Sequence, residues 1–213
     1  MQAVKNSAYV IMAAVLLAFS TGKSEAARFM IDPAHSSIEF KIRHLMIAKV
    51  SGKFDRFSGE FHYDAKDSKG WSAMSTIEAA SVNTGIADRD NHLRNADFFD
   101  VSKYPALTFK STGVTDVKEG SAKLNGLLTI RGVEKPVILD LEIGGTAVDP
   151  WGNTKAGFTA TGKINRKDFG MTWNKALDNG GLALGEEVEI TLQIEGTQDK
   201  PAAPAPTDKK KKK

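Results

Sequence analysis

The sequence predicts an all-β protein of about eight strands, folded as an antiparallel β-barrel or sandwich. Three observations predict this fold: apolar and polar residues alternate along many segments, Gly, Asp and Asn turns separate them, and no long helical pattern lies between them. Such alternation marks a strand with one buried face. Strands that follow one another without long helices argue against a parallel α/β fold. Closure into a barrel removes the sheet edges and leaves an interior for side chains or one ligand.

The first 26 residues are predicted to be a signal peptide. Lys5 precedes an apolar run from Ala8 to Phe19, and Ser24–Ala26 supplies the small residues of a cleavage site, so we expect cleavage after Ala26. The run is shorter than the roughly 20 residues that span a bilayer. We therefore expect an exported protein, periplasmic or secreted, with no transmembrane segment.

Eight segments between the signal peptide and the tail carry the strand pattern. The clearest is the last, where every second residue from Val188 to Ile194 is apolar and the others are polar or acidic. Gly126, Gly157 and Gly162 interrupt the pattern, which indicates bends or a close approach to the backbone. In chain order the predicted strands cover residues 36–43, 57–64, 76–82, 107–115, 124–131, 137–143, 155–165 and 187–195.

The charge distribution excludes several functional classes. Residues 27–198 hold 21 Lys and Arg against 23 Asp and Glu, so this body is not basic and a nucleic-acid partner is not expected. The chain has no cysteine, which excludes disulfides, thiolate nucleophiles and cysteine metal sites. Residues 199–213 are rich in Pro, Ala and Lys, and we expect a disordered tail. Its five final lysines are either a solvated tether or a peripheral contact with anionic envelope surfaces.

Metal and cofactor chemistry is not predicted. The four histidines, His35, His44, His62 and His92, match no metal-ligand spacing. Motifs for haem, flavin or nicotinamide binding are also missing from the sequence, so any redox chemistry would belong to a ligand.

A hydrolase is the enzyme alternative. Asp88 with Asp90, or Asp97 with Asp100, could act as acid and base, and the dipeptide His35-Ser36 could supply a base and a nucleophile. Adjacent residues on a strand face opposite sides, however, and no GxSxG elbow is present. We therefore predict no catalytic residues and a protein that is not an enzyme.

Four ordered motifs between Phe29 and Glu195 resemble those of the YceI-like family. The third and fourth follow the barrel pattern closely, and the second coincides with the charged segment that breaks it. The motifs are Asp32-Pro33-Ala34-His35-Ser36 with Phe40, His44, Gly52-Lys53-Phe54 and Phe57-x-Gly59; Thr84-x3-Asp88-Arg89-Asp90-x-His92-Leu93-Arg94-x2-Asp97-Phe98-Phe99-Asp100 with Tyr104-Pro105-x3-Phe109; Gly126-x-Leu128-Thr129-Ile130-Arg131-Gly132-Val133-x-Lys135-Pro136; and Ile164-Asn165-Arg166-x-Asp168-Phe169-Gly170.

The resemblance implies an extended, lipocalin-like antiparallel β-barrel of about eight strands over residues 27–198. Its interior tunnel is expected to bind polyisoprenoids or other long amphiphiles such as fatty-acid-like ligands. It implies no catalytic residues. The apolar residues of the predicted strands are either tunnel lining or ordinary core. The candidates for the lining are Ile38, Phe40, Ile42, Phe54, Phe57, Phe61, Phe109, Leu128, Ile130, Phe158 and Ile164.

The segment from Thr84 to Pro105 is predicted to form a short helix near residues 88–100, at one mouth of the expected tunnel. Asp90 and Arg94 have the spacing of an ion pair on a helix. Two interpretations remain open. Arg89, His92 and Arg94 could bind a charged head group, or they could pair with the neighbouring aspartates and hold a lid in which Phe98 and Phe99 plug the barrel.

The expected cargo also has an alternative. A quinone with an isoprenoid tail would enter the same tunnel, which would make the protein an accessory of envelope redox chemistry or of a stress response. The oligomeric state stays open, with a homodimer as one option.

Overall fold

The computed structural model describes residues 26–177 and 181–199. These residues form eleven strands, one α-helix and three short 3-10 turns. The elements are β1 Ala27–Ile31, β2 Ser37–His44, β3 Ala48–Phe54, β4 Phe57–Tyr63, β5 Ser72–Glu78, β6 Val82–Asn83, α1 Ala87–Arg94, β7 Ala106–Lys118, β8 Ser121–Ile130, β9 Val133–Val148, β10 Thr154–Asn165 and β11 Leu184–Gln198, with 3-10 turns at Ser68–Gly70, Ala79–Ser81 and Arg166–Phe169.

Eight strands close into an antiparallel ring, which confirms the predicted barrel. Their order is β1, β4, β5, β7, β8, β9, β10, β11, and β11 pairs back to β1. The remaining three strands lengthen the wall at one end: β2 pairs with β11 and β3, and β3 pairs with β6. The barrel is therefore longer than the ring alone.

The three extra strands continue ring strands across local breaks. Phe29 pairs with Phe61 in β1 and β4, and Phe40 pairs with Gly52 in β2 and β3, so β1–β2 and β3–β4 are one long hairpin with interruptions. Pro33 lies in the break between β1 and β2, where it cannot donate to the ladder. The molecule is thus an up-and-down barrel of eight long strands.

The third interruption corrects one prediction. A single strand was expected over residues 76–82, but β5 ends at Glu78 and a 3-10 turn over Ala79–Ser81 separates it from β6. The Ser81 hydroxyl donates to the Glu78 carbonyl over 2.7 Å, which stabilises this turn. The turn directs the chain into α1.

The glycines predicted to mark bends or close approaches do so. Phe109 covers Gly126, where a Cβ atom would lie 2.3 Å from its ring, and Leu139 covers Gly162, where a Cβ atom would lie 2.6 Å from a methyl group. At Gly157 the register between β9 and β10 shifts, as in a β-bulge.

The segment between β6 and β7 covers the barrel end that also holds the last residues of β2 and β10 and the first of β11. Helix α1 ends at Arg94, so it is shorter than the predicted 88–100 segment, and turns continue to Tyr104. No helix of the described residues is long and apolar enough to cross a membrane. The signal-peptide prediction for residues 1–26 and the tail prediction for 199–213 lie outside the described residues, apart from Ala26 and Asp199.

Candidate functional site: an apolar cavity inside the barrel

The barrel encloses a cavity of about 470 Å³. Its wall consists mainly of the inward side chains of the strands, and alternation along β8 shows the cause: Ala122, Leu124, Leu128 and Ile130 are buried while the residues between them are partly exposed. The volume lies in the range of small-molecule sites, which are mostly apolar with a few polar groups.

Ten of the eleven predicted lining residues lie in the cavity wall. The exception is Phe57, which stands directly after the break between β3 and β4 and packs against the buried cluster around Phe54 and Ile77. Contact of the ten with a ligand stays a prediction. They are Ile38, Phe40, Ile42, Phe54, Phe61, Phe109, Leu128, Ile130, Phe158 and Ile164.

Three of these phenylalanines lie over glycines of the same barrel wall. The ring of Phe40 covers Gly52, that of Phe109 covers Gly126, and that of Phe61 covers Gly196; a Cβ atom on these glycines would lie 2.3, 2.3 and 2.5 Å from the rings. Each ring therefore occupies the volume that a side chain would otherwise take. Because the rings lie against glycines, they leave more of the barrel interior open than they would against larger residues.

An aromatic cluster closes the cavity at the end formed by β1, β4 and β10. Phe29 and Phe61 stack with centroids 5.1 Å apart, and Phe158 meets Phe61 and Tyr63 edge-on at 5.3 and 5.0 Å. Trp71 completes the cluster, and its indole donates to the Asp64 carbonyl over 2.8 Å. This end is apolar and well packed.

The opposite end, under α1, carries polar groups. Arg89 lies in the cavity wall, where it donates to the Thr84 hydroxyl over 2.7 Å and to the Thr84 carbonyl over 2.9 Å. The buried Asp90 accepts from the Thr84 hydroxyl over 2.6 Å and from its backbone N–H over 2.8 Å. The predicted Asp90–Arg94 pair is therefore wrong, because Thr84 takes the place of Arg94 as the partner of Asp90.

Arg94 has a structural position. Its Nε donates to the Ala80 carbonyl and its Nη2 to the Val82 carbonyl, both over 2.8 Å, and Nη1 donates to Asn91. It lies outside the cavity wall, contrary to its candidacy as a head-group ligand. It joins α1 to the turn before β6.

His92, Phe98 and Trp173 form an aromatic layer beneath the helix. The His92 ring meets Phe98 at 5.0 Å and Trp173 at 4.9 Å, and its Nε2 lies 2.9 Å from the Asp97 carboxylate. Phe99 packs edge-on against Phe54 at 5.5 Å. His92, Phe98 and Phe99 all contribute to the cavity wall.

Arg166 is a wall residue that the sequence interpretation did not single out. It follows β10 and is 2% exposed, and burial lowers the pKa of its guanidinium while Glu186 opposes that effect. Its Nε donates to the Gly185 carbonyl, and its Nη1 donates to the carbonyls of Met171 and Trp173. The sequence contained one signal for this residue, because an arginine directly after the apolar end of a strand is unusual.

Most of the candidate acid–base residues are engaged in structural bonds. His35 bonds to the Asp32 carboxylate over 2.9 Å, whereas the Ser36 hydroxyl donates to the Glu195 carbonyl and accepts from the Glu195 N–H. His35 and Ser36 thus have different partners. Asp97 pairs with His92, as described above. These bonds join the β1–β2 turn to β11 and secure the lid.

Asp32, His35 and Glu195 form a cluster whose ligand atoms are close enough to hold a metal ion. The Lys155 ammonium already lies 3.2 Å from Asp32 and 3.3 Å from Glu195. The hydrogen bond with His35 and, after it, that from Lys155 lower the pKa of Asp32 to about 2, against the opposite effect of partial burial. The cluster therefore has the composition of an ion-pair network between β10, β11 and the first turn.

The closed meander and its apolar interior define the class as an antiparallel β-barrel with an internal cavity and a short helix at one end. The family model of the YceI-like domain matches residues 29–196. Protein YceI of Salmonella newport is 42% identical over 187 residues, which cover 86% of this chain and 94% of that protein. The chain belongs to the YceI-like family.

Solved structures share the architecture. A Campylobacter jejuni YceI protein superposes with a TM-score of 0.65 at 35% identity, covering 75% of this chain and 91% of that one. A domain from Saccharophagus degradans, described as a polyisoprenoid binding domain implicated in plant cell wall breakdown, superposes with a TM-score of 0.59 at 16% identity, covering 82% and 100%. At that identity the second likeness concerns the fold.

Proposed function

We propose that this protein binds a long isoprenoid-like amphiphile inside the barrel and carries or sequesters it in the cell envelope after export. The observation that supports this most is the apolar cavity of about 470 Å³ inside the barrel. Burial of each methylene-sized unit of an insoluble chain is favourable by about 0.8 kcal/mol. The described binding of polyisoprenoid by the Saccharophagus domain, which shares the fold, supports the same ligand class.

The lid residues complete the proposal. Arg89, His92, Phe98 and Phe99 lie in the wall under α1, so we propose that they close this end of the cavity over the ligand. Arg94 instead holds the lid through backbone carbonyls. We propose a role in binding, because the interior is apolar and most of the candidate acid–base groups bond to neighbouring turns and to the helix segment.

The test is to identify what the protein carries. Mass spectrometry of an organic extract of protein purified gently from its native compartment is expected to show a polyprenyl compound. A polyprenyl phosphate or alcohol would indicate a carrier, and a prenyl quinone would indicate the redox accessory. An empty native barrel that also fails to bind added geranylgeraniol would contradict the proposal.

A matched pair of variants separates cavity binding from surface adhesion. Ala160 is buried in the wall, and Thr161 beside it is exposed. We expect Ala160→Phe to lose most of the extracted ligand, because the new ring fills the cavity, and Thr161→Phe to keep it. Circular dichroism checks that both variants fold. Equal ligand content in the two folded variants would place the ligand outside the barrel.

A further inference from the structure

We propose that Arg166 is a buried anchor for an acidic oxygen of the bound amphiphile, so that the natural ligand is a long apolar chain ending in a phosphate or carboxylate. This inference rests on the proposed function and adds the chemistry of the ligand's polar end. It also places that end beneath α1, with the tail directed along the strands towards Phe61 and Phe158.

The first support is an unfilled hydrogen-bonding capacity. A guanidinium has five N–H groups, and the three bonds of Arg166 to backbone carbonyls use those on Nε and Nη1. Nη2 is buried and has no hydrogen-bond partner among the described residues. Nearly all buried polar groups in proteins have a partner. Nη2 belongs to a residue of the cavity wall, so a ligand that reaches this part of the wall can supply the missing partner.

The second support is a buried charge that the nearby Glu186 offsets only through space, without a direct ion pair. Arg166 forms no ion pair with any carboxylate of the described residues, and its partners are neutral carbonyls. The nearby Glu186 is paired with Lys167. A buried charge without a counter-ion is unfavourable, so an anionic oxygen is a better complement to this site than a neutral one.

The third support is the position of Arg166. It lies in the cavity wall and holds the carbonyl of Trp173, whose ring contacts His92 and Phe98 of the lid. Arg89 is in the wall at the same end. Because Nη2 has almost no exposed surface, the wall must rearrange to admit an oxygen, and this wall includes Met171, whose side chain type is flexible. Because Nε and Nη1 are occupied, we expect a contact with one oxygen.

The experiment compares ligands that share a chain and differ in the polar end. Geranylgeranyl phosphate and geranylgeraniol form one pair, and palmitate and hexadecanol form the other; all are titrated into ligand-free protein. We expect the wild-type protein to bind each anion at least about tenfold more tightly than its alcohol, as charged hydrogen bonds typically allow. The pair with the larger ratio identifies phosphate or carboxylate as the preferred group.

Two arginine variants assign the preference. Arg166→Met keeps the length of the side chain without its charge, and we expect it to reduce the anion-to-alcohol ratio to within about threefold while the alcohols bind as before. Arg94→Met is the control, because Arg94 also binds carbonyls but lies outside the wall. It is expected to lower the melting temperature and leave the ratio unchanged.

The outcomes are distinct. Equal affinity of the wild-type protein for an anion and its alcohol overturns the proposed anchor but leaves the proposed function unaffected. A wild-type protein that binds neither the anions nor the alcohols overturns the proposed function. A ratio that survives Arg166→Met but is lost in Arg89→Met also overturns the anchor. If Arg166→Met does not fold, nitrogen NMR of the wild-type protein replaces it. We expect the Nη signals of Arg166 to shift when geranylgeranyl phosphate binds and not when geranylgeraniol binds. Signals that stay unchanged with the phosphate would contradict the proposal.

Discussion

At the scale of residues, the charged groups of this protein divide into two kinds. Arg94, Asp90 and Asp32 have their partners within the protein and secure a helix, a loop and a turn. Arg166 keeps one nitrogen without a partner. The sequence interpretation could not separate these roles, because the acceptors of both arginines are backbone carbonyls that only the fold brings near.

Asp32 gives a prediction on pH. Its pKa is lowered to about 2 in the folded protein, so its contribution is present above about pH 4, its ordinary pKa range, and is lost as the pH falls towards 2. Since its side chain is 22% exposed and partly screened, we expect Asp32→Asn to reduce the free energy of unfolding by about 1 kcal/mol at pH 7.

Urea unfolding from pH 7 to pH 2.5 measures this. The difference between Asp32→Asn and wild type should shrink below pH 4. Asp140→Asn, in an exposed pair with Lys123, serves as the control and should cost less at every pH. A difference for Asp32→Asn that stays constant down to pH 2.5 would mean that its carboxylate charge is not the cause.

At the scale of elements, three phenylalanines of the cavity wall each cover a glycine of another strand. Phe40, Phe61 and Phe109 were predicted lining residues, and Gly126 was predicted to allow a close approach. Alternation placed these phenylalanines inside the barrel. That each ring would lie against a particular glycine depends on the strand register, which one sequence does not display.

Gly126→Ala tests the link between strand pairing and cavity. The new methyl group would lie 2.3 Å from the Phe109 ring, so the ring must move towards the cavity. We expect geranylgeraniol to bind about tenfold more weakly, with a loss of about 1 kcal/mol in stability. Titration and urea unfolding measure the two effects.

Gly157→Ala is the matched control, because a methyl group there meets only the Ile194 carbonyl at 3.8 Å. Its affinity should equal that of wild type. Phe109→Leu in the Gly126→Ala background should recover part of the lost binding, as the smaller side chain returns space. Unchanged binding by Gly126→Ala would show that the cavity adjusts without loss.

At the scale of the whole molecule, the fold is a meander in which each of the eight long strands pairs with its sequence neighbours, and β11 closes the ring with β1. Neighbouring strands need only short connections, so the spatial order of the long strands follows their order in the sequence. The long connections are those at the lid end, and they hold α1, Trp173 and Arg166.

Export gives a prediction for the whole chain. Cleavage after Ala26 should leave Ala27 as the first residue of the protein recovered from its native compartment, as measured by intact mass and N-terminal sequencing. Ala26→Lys places a large charged residue at the cleavage site and should leave a longer, uncleaved chain. A wild-type protein that retains residues 1–26 would contradict export by a cleaved signal peptide.

The sequence by itself determined the all-β class, the number of long strands and ten of the eleven proposed apolar wall residues, because strand period and burial are properties of neighbouring residues. The tertiary structure decided which charges face the cavity. Arg94, a candidate for the site, lies outside the cavity wall, whereas Arg166 lies in it. The fold also brings together an ion-pair cluster from distant sequence positions, formed by Asp32, His35, Lys155 and Glu195. Those roles depend on which backbone carbonyls and side chains of distant strands meet, and this is fixed only when the barrel closes.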